Sequence, residues 1–419
     1  MFYIIENYEQ LKEFYYKEIE EAFVEIIPFN DHIHPTINNV SLIYIRPIDD
    51  NKGYILCVEH NDTLQLSINA ISTILNKINK IYVRDKKEFL HYLIHPNIVD
   101  ITLEHIYERP TTSAHDYFYR NYQHIDDLNK IVPISKHYEV CEKIFNDLKE
   151  KINEPINLFY NDRASLVFNA IERNGLRIQR EKFKDHFYHV DADYIYSQYN
   201  FKTTTRRPAN RFGGVNYAAL NKENGSREVF IPRNDKLVEI DLSAFHPTLI
   251  SKLMDYDFGD KNIYHEIVEE CNVSYDEAKK IVFKNLNGNI FEEYKNVEFF
   301  SRLQHFKDKL WEQFQNEGFI EDKTSEWKFY KDKLENMNPN KLLNYLLQTT
   351  ETSTNINIIW DILKILRGKN TKLILFTYDA FLLDLDEEEE DLIDKILEIF
   401  KTYKFDIKIK TGYNYNNLK

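Results

Sequence analysis

Cysteine is nearly missing from this chain: Cys57, Cys141 and Cys271 are its only three, far apart and without any C-x-x-C spacing. That excludes a disulfide framework and a cysteine-based zinc knuckle, and it leaves the three as expected core thiols. Glycine and proline are scarce as well, with 10 and 11 residues in 419. Neither an internal repeat nor a low-complexity linker is found, so domain boundaries have to be read from changes of pattern. No stretch nears the roughly 18 apolar residues that cross a bilayer. The opening MFYIIENYEQ carries acids where a secretory signal carries a basic stretch. A cytoplasmic protein without a membrane partner is expected. Positive charge is in deficit, 54 Lys and Arg against 68 Asp and Glu, for a net −14. This weighs against nucleic acid as a partner, because phosphate binding depends on Lys and Arg displacing condensed counterions.

What is present tempers that. With 43% apolar and 14% aromatic residues the chain can build two or three lobes, each with its own core. The distribution of cations matters more than their sum: Lys202, Arg206, Arg207 and Arg211 fall within ten residues, followed by Lys222 and Arg227, which predicts a basic surface. The acid run from Asp384 to Asp391 reads as a solvated helix start.

Along the first 150 residues the patterns alternate. A helix is predicted near 7–25, and strands at Ser41–Arg46 and Tyr54–Glu59 around the turn Asp49-Asp50-Asn51-Lys52-Gly53. An amphipathic helix and a strand at Lys80–Val83 follow. These make a separate α/β lobe. At the far end, KLILFTYDAFLLDL reads as two apolar β runs meeting at Tyr378-Asp379, with Asp379 at the tip. Leu392, Ile396, Ile399 and Phe400 then recur at helical spacing, and Phe405, Ile407 and Ile409 alternate as in a strand with one buried face. Another strand, LVEIDLS, reaches Asp241, and helical patterns dominate from Lys252 to Leu366.

Two aspartates at the ends of strands that can pair in one sheet are able to hold two hard cations about 3.5–4 Å apart, the arrangement used for in-line phosphoryl transfer. Either one alone reads equally as a turn or cap residue. Between them, Tyr275, Lys279, Phe283 and Asn287 recur at steps of four. They share one helix face on which a cation, an aromatic plane and an amide can meet a nucleotide, unless the lysines merely face solvent.

Four local patterns, in order, resemble the family A DNA polymerases, the Pol I type, and most of all their compact phage members. TTTRRPANRFGGVNYAALNK (203–222) is similar to the T-x-T-G-R segment and the Asn-Gln stretch after it, with Arg207 at the arginine and Asn216 near the stretch. VEIDLSAFHPTLIS (238–251) is similar to motif A, with Asp241 as metal ligand and Ser243 two residues on. SYDEAKKIVFKNLNGN (274–289) is similar to motif B through Lys279, Phe283 and Gly288, and LFTYDAFLLD (375–384) to motif C through Asp379. NYLLQTTETSTN (344–355) looks like the helix before motif C, bringing Asn344 and Gln348 near the duplex.

The resemblance covers roughly 155–419 and implies a mixed α/β, or α+β, right-hand polymerase. Residues 151–255 would be the first part of the palm, 256–340 the fingers and 341–419 the second part of the palm. It implies a DNA-templated DNA polymerase that adds dNTPs to a primer 3′-hydroxyl, as in phage-type replication, with two Mg²⁺ ions or Mn²⁺ in their place. Asp241, Asp379 and the Leu242 carbonyl would hold the metals. Lys279, Phe283, His246, Asn287, Ser243 and Tyr275 would bind the nucleotide, and Arg206, Arg207, Arg211, Asn216, Asn344, Gln348 and Tyr378 the primer-template.

The departures from the family pattern are specific. His246 replaces the motif A glutamate that crowds the sugar, Asn287 replaces the motif B tyrosine and Tyr275 its opening arginine, and Tyr378 and Ala380 replace the His and Glu of motif C. The altered sugar site leaves a ribonucleotide-using primase, or an enzyme like the single-subunit RNA polymerases, as the second reading. A non-catalytic DNA-binding relative and a metal-dependent nuclease stand behind these. Residues 1–150 resemble the 3′–5′ exonuclease lobe that precedes such a core, but Ile45-Arg46-Pro47 stand where its Asp-x-Glu belongs, so an inactive lobe is expected. ASLVFNAIERNGLRI (165–179), similar to the palm start, is followed almost at once by Lys202. That implies a reduced or absent thumb, and with it a clamp or accessory replication protein to hold the template.

Overall fold

Strands whose successive residues turn to opposite, equally apolar layers build the first of two units. The computed structural model describes residues 2–61, 63–102, 129–153, 159–258 and 262–419. The first unit comprises Met1–Arg173 and Phe212–Val215, and the second Asn174–Arg211 and Asn216–Lys419.

In the first unit β1 (Phe2–Ile5), β2 (Glu21–Pro28), β3 (Val40–Pro47), β4 (Gly53–Cys57), β5 (Lys80–Val83) and β6 (Ile98–Asp100) form a six-stranded sheet in the order β1-β4-β3-β2-β5-β6. Strands β2, β3 and β4 run as an antiparallel meander, while β5 and β6 extend from β2 in parallel and β1 runs parallel to β4. Ala22, Val24, Ile43, Ile45, Tyr54 and Leu56 pack on one face with α1 (Tyr8–Tyr15), α2 (Ile68–Leu75) and α3 (Lys86–Tyr92). Phe23, Leu42, Tyr44, Ile55 and Cys57 pack on the other with α4 (Ile134–Asn153). Burial on both faces explains why these strands are nearly all apolar.

The helix predicted near 7–25 is corrected here. Helix α1, capped by the Asn7 side chain, ends at Tyr15, and Glu21–Pro28 is the central strand β2. In its run Ala-Phe-Val-Glu-Ile-Ile, Ala22 and Val24 are buried in one layer and Phe23 and Ile27 in the other, and that burial overrides the helical spacing. Asp85 caps α3 by accepting from the Glu88 amide at 2.9 Å, and Asp100 accepts from the amides of Lys86 and Thr102, each at 3.0 Å. The segment NIVDITLEHIYERP (97–110), which belongs to the resemblance to an exonuclease lobe, lies outside the described residues from residue 103 on. Helix α5 (Phe159–Asn174) carries Glu172, a fully buried carboxylate that meets Lys87 at 2.7 Å and His91 at 2.7 Å. Burial alone would raise the Glu172 carboxyl, yet Lys87 and His91 hold it below its usual range. Cys57 and Cys141 are core thiols, whereas Cys271 is only partly buried.

The second unit is organised by an antiparallel four-stranded sheet of β7 (Lys236–Leu242), β10 (Lys372–Thr377), β11 (Ala380–Leu385) and β12 (Ile407–Gly412), in the order β10-β11-β7-β12. Between β7 and β10 the chain inserts α6 (Phe245–Leu253), α7 (Ile263–Cys271), α8 (Tyr275–Asn287), α9 (Glu298–Glu317) and α10 (Pro339–Ile365). The helical expectation for Lys252–Leu366 thus fits except for a hairpin, β8 (Phe319–Asp322) and β9 (Trp327–Tyr330), which Gly318 opens with a φ of +80° at the end of α9. Helix α11 (Asp391–Thr402) buries Leu392, Ile396 and Phe400, the last against Phe381 at 5.3 Å between ring centroids.

Strand β12 forms as expected, but Ile409 stays 41% exposed, because β12 is an edge of the sheet. Among the described residues no helix is long and apolar enough to cross a membrane.

Candidate active site

Strand register sets the first part of the site. Asp241, near the end of β7, lies opposite Ala380 on β11 and opposite Lys408 on β12. Asp379 is therefore one residue from the partner of Asp241, in a two-residue turn between β10 and β11. The turn is tightly held. Its amide N–H donates to the Thr377 carbonyl at 2.7 Å, the Leu242 N–H donates to the Asp379 carbonyl at 2.8 Å, and the Asn355 amide donates to the Tyr378 carbonyl at 2.6 Å. Tyr378 pays for this with a left-handed φ of +58°.

Both carboxyls are pushed above the usual aspartate range. For Asp241 burial is the largest cause, opposed by Lys410, whose ammonium lies 3.7 Å away and also bonds buried Glu239 at 2.9 Å. For Asp379 desolvation comes first and repulsion by Asp241 second, although the turn itself reaches solvent. Two neighbouring acids, both held above their usual range and one of them raised in part by the other, form a place where a cation is favourable. Their hard oxygens suit Mg²⁺. Among the described residues no group of three or more His, Cys, Asp or Glu is disposed to hold a metal. An ion on this pair would complete its shell with backbone, water or substrate oxygens.

Immediately after β7 the chain turns sharply. The Ser243 N–H donates to the Asp406 carbonyl at 2.8 Å, Ala244 takes a φ of +50°, and α6 begins at Phe245. His246, in the first turn of α6, reaches Glu351 of α10, Nε2 to Oε2 at 2.9 Å. Arg207 reaches the same carboxylate, with Nε 3.3 Å from Oε2 and Nη2 3.4 Å from Oε1, while its guanidinium lies 3.7 Å over the Tyr378 ring. The structure thus draws Arg207, His246 and Tyr378 together around Glu351, which sequence reasoning missed. A signal was available: Glu351 is the single charged residue between Lys341 and Asp361.

The loop before Arg207 is clasped to α10 as well. Thr205 donates to the Gln348 side chain at 3.0 Å, and Thr349 donates to the Thr205 carbonyl at 2.9 Å. Arg206, expected at the duplex, is corrected: it takes a φ of +61° and is fully buried, its guanidinium 5.0 Å from the Phe201 ring and 4.9 Å from the Trp327 ring. Lys202 is buried too, and Arg227 is half-buried, donating to the Leu220 carbonyl at 2.9 Å. Of the predicted basic surface, Arg211 and Lys222 stand exposed.

Helix α8 carries the other group. Ser274 and Glu277 form a reciprocal capping box at its start, as S-x-x-E spacing dictates. Ala278, Val282, Asn285 and Leu286 face the core. On the outer face Phe283 is 71% exposed, and Lys279 lies 4.7 Å over the Tyr275 ring. Asn287 caps its own helix, donating to the Phe283 carbonyl at 3.0 Å. The far end of α8 is fastened by the buried Lys307 of α9, which donates to the carbonyls of Gly288 at 2.7 Å and Asn285 at 3.3 Å and to the Asn340 side chain at 3.1 Å. Asn344 of α10 donates to the Asn287 carbonyl at 3.4 Å, and Asn216 is half-buried.

Structural comparison shows that this mixed α/β chain, with its acid-tipped antiparallel sheet and inserted helical region, has the fold of a DNA polymerase domain. The chain is similar to the POL domain of Pol1 from M. smegmatis, solved in complex with DNA primer-template and dNTP. The TM-score is 0.71 and the identity 11%, over 99% of each chain. At that identity the likeness is one of fold. No protein-family model and no curated protein matches the sequence.

Proposed function

We propose that this chain is a DNA-templated DNA polymerase of the family A kind, extending a primer 3′-hydroxyl with dNTPs. The observation that carries the reading is the approach of Asp379, in the turn one residue before Ala380, to Asp241, which pairs with Ala380, each carboxyl having its proton affinity raised by burial. The neighbour's bound primer-template and dNTP support it. Two divalent cations, Mg²⁺ or Mn²⁺, on Asp241, Asp379 and the Leu242 carbonyl supply the chemistry that makes the primer hydroxyl nucleophilic and neutralises the departing pyrophosphate. The chain's own side chains bind and orient. Lys279 meets the triphosphate, Phe283 and Tyr275 offer aromatic surface to the base, and Ser243, His246 and Asn287 line the sugar. Arg207, Arg211, Asn216, Asn344, Gln348 and Tyr378 hold the primer-template, where phosphate contacts set register and template pairing supplies specificity.

In this reading residues 151–255 and 341–419 are palm and 256–340 are fingers. An accessory protein takes the place of a thumb, and the setting is phage-type replication in a host cytoplasm. The lobe over 1–150 is inactive as an exonuclease. On its central strand β2 the buried acid is Glu25, and it is taken up by Arg84 at 2.6 Å.

The test is primed-template extension in Mg²⁺ by wild type, Asp241→Ala and Asp379→Ala, with dNTPs and rNTPs compared. Each substitution is expected to lower extension by roughly a thousandfold or more. Normal extension by both variants refutes the assignment, and equal use of rNTPs turns the reading toward a ribonucleotide-using enzyme.

A further inference from the structure

We infer that Glu351 is a positioning residue of the proposed nucleotide site: its carboxylate fixes His246 and Arg207 in the orientations from which they meet nucleotide and primer-template. This rests on the polymerase reading and adds to it a residue of α10. The Glu351 side chain is 3% exposed, and both its oxygens are used, Oε2 by His246 and Arg207 Nε and Oε1 by Arg207 Nη2. Its partners come from segments far apart in the chain. His246 opens α6 four residues past the end of β7, and Arg207 follows the loop clasped by Gln348 and Thr349.

The arrangement continues to the acid tip. Arg207 lies over the Tyr378 ring, and the Tyr378 carbonyl accepts from Asn355, one helical turn beyond Glu351 on the same face of α10. Helix α10 therefore holds the turn bearing Asp379 twice, directly through Asn355 and indirectly through Glu351, Arg207 and Tyr378. A bridge of this kind contributes orientation more than stability. Arg207 and His246 are each about one-third exposed, so both can be rehydrated when the carboxylate is neutralised.

The experiment compares Glu351→Gln, His246→Ala and the double variant of the full chain in steady-state extension, with dNTPs and with rNTPs. Glutamine keeps the shape and removes the charge. Glu351→Gln is expected to raise the dNTP KM roughly tenfold, with a much smaller change in kcat, and to lower the dNTP-over-rNTP preference by a similar factor. His246→Ala is expected to lower that preference comparably, and the double variant to add little, because both act through one contact. A melting scan of each variant reports folding separately, since a merely structural role lowers the melting temperature without moving the sugar preference. If wild type extends primers while Glu351→Gln keeps both KM and preference, or if the two substitutions simply add, this inference is overturned alone. If wild type extends nothing, both readings fall.

Discussion

Replacing Asp379 by asparagine should make the metal-free protein more stable while abolishing its extension activity. Asp241 lies opposite Ala380, Asp379 is the turn residue just before Ala380, and Asp241 is among the groups that raise the Asp379 proton affinity. Two unit charges on the order of 5 Å apart repel by about 3 kcal/mol at an effective dielectric of about 20, and by about 0.8 kcal/mol in water. Because the Asp379 turn reaches solvent, the lower end applies, roughly 1 kcal/mol. For a unit of this size that corresponds to a melting temperature about 2–4 °C higher.

The pH dependence has a definite sign. A carboxyl whose folded proton affinity is raised favours the fold while protonated and costs stability once ionised. The asparagine variant should therefore match wild type in acid and gain on it as pH rises from the ordinary aspartate value of 3.8 through the raised one. Mg²⁺ should reverse the order: at ten times its Kd it adds about 1.4 kcal/mol to wild type and little to Asp379→Asn. Differential scanning fluorimetry at several pH values, with and without Mg²⁺, reads all of this. A variant that melts below wild type without metal, or that gains as much from Mg²⁺, would refute the shared-charge account of the site.

Two predictions concern stability. Lys87→Met leaves Glu172 buried without its ammonium and should cost about 3–5 kcal/mol in urea unfolding, with the gap from wild type closing in acid. The sign follows from Glu172, whose depressed proton affinity gives stability above the ordinary carboxylate range that is lost as pH falls through the lower folded value. Burial lowers Lys307 from 10.5 to about 8, so the fold binds fewer protons than the unfolded chain in that window, and wild-type stability should climb as pH rises from about 8 toward 10.5. Lys307→Met should flatten that climb and raise the dNTP KM, through a loosened end of α8.

Legibility in the sequence followed how local each feature is. The acid-tipped hairpin was readable because an apolar run broken at Tyr378-Asp379 has one strand on each side, and β7 because Leu237, Val238, Ile240 and Leu242 make LVEIDL a mostly apolar run around Glu239 and Asp241. The α8 face and its cap follow from spacing alone. What failed depends on distant partners. Arg206 looks like any exposed arginine until Trp327, from the β8–β9 hairpin, closes over it. Residues 21–28 keep a helical rhythm that only two flanking strands and two apolar layers overrule. Glu351 was within view as a lone charge in a long uncharged stretch, but its role depends on His246 and Arg207 arriving from elsewhere.

Three of the eight non-glycine residues that hold a left-handed φ among the described residues lie beside the proposed site. Arg206, Ala244 and Tyr378 all hold a left-handed φ without being glycine, and each borders a proposed site residue: Arg207, Ser243 and Asp379. Such conformations cost on the order of 1–3 kcal/mol each and persist where surrounding contacts over-determine them. Here the contacts are identifiable: the Thr349 hydroxyl donates to the Thr205 carbonyl, the Asp406 carbonyl accepts from the Ser243 amide, and the Asn355 side chain donates to the Tyr378 carbonyl. Two of those three restraints come from α10. A helix buried along most of its length, with Glu351 and Asn355 turned to the strained loops, is what a site needs if it is to keep two repelling carboxyls together before any cation arrives.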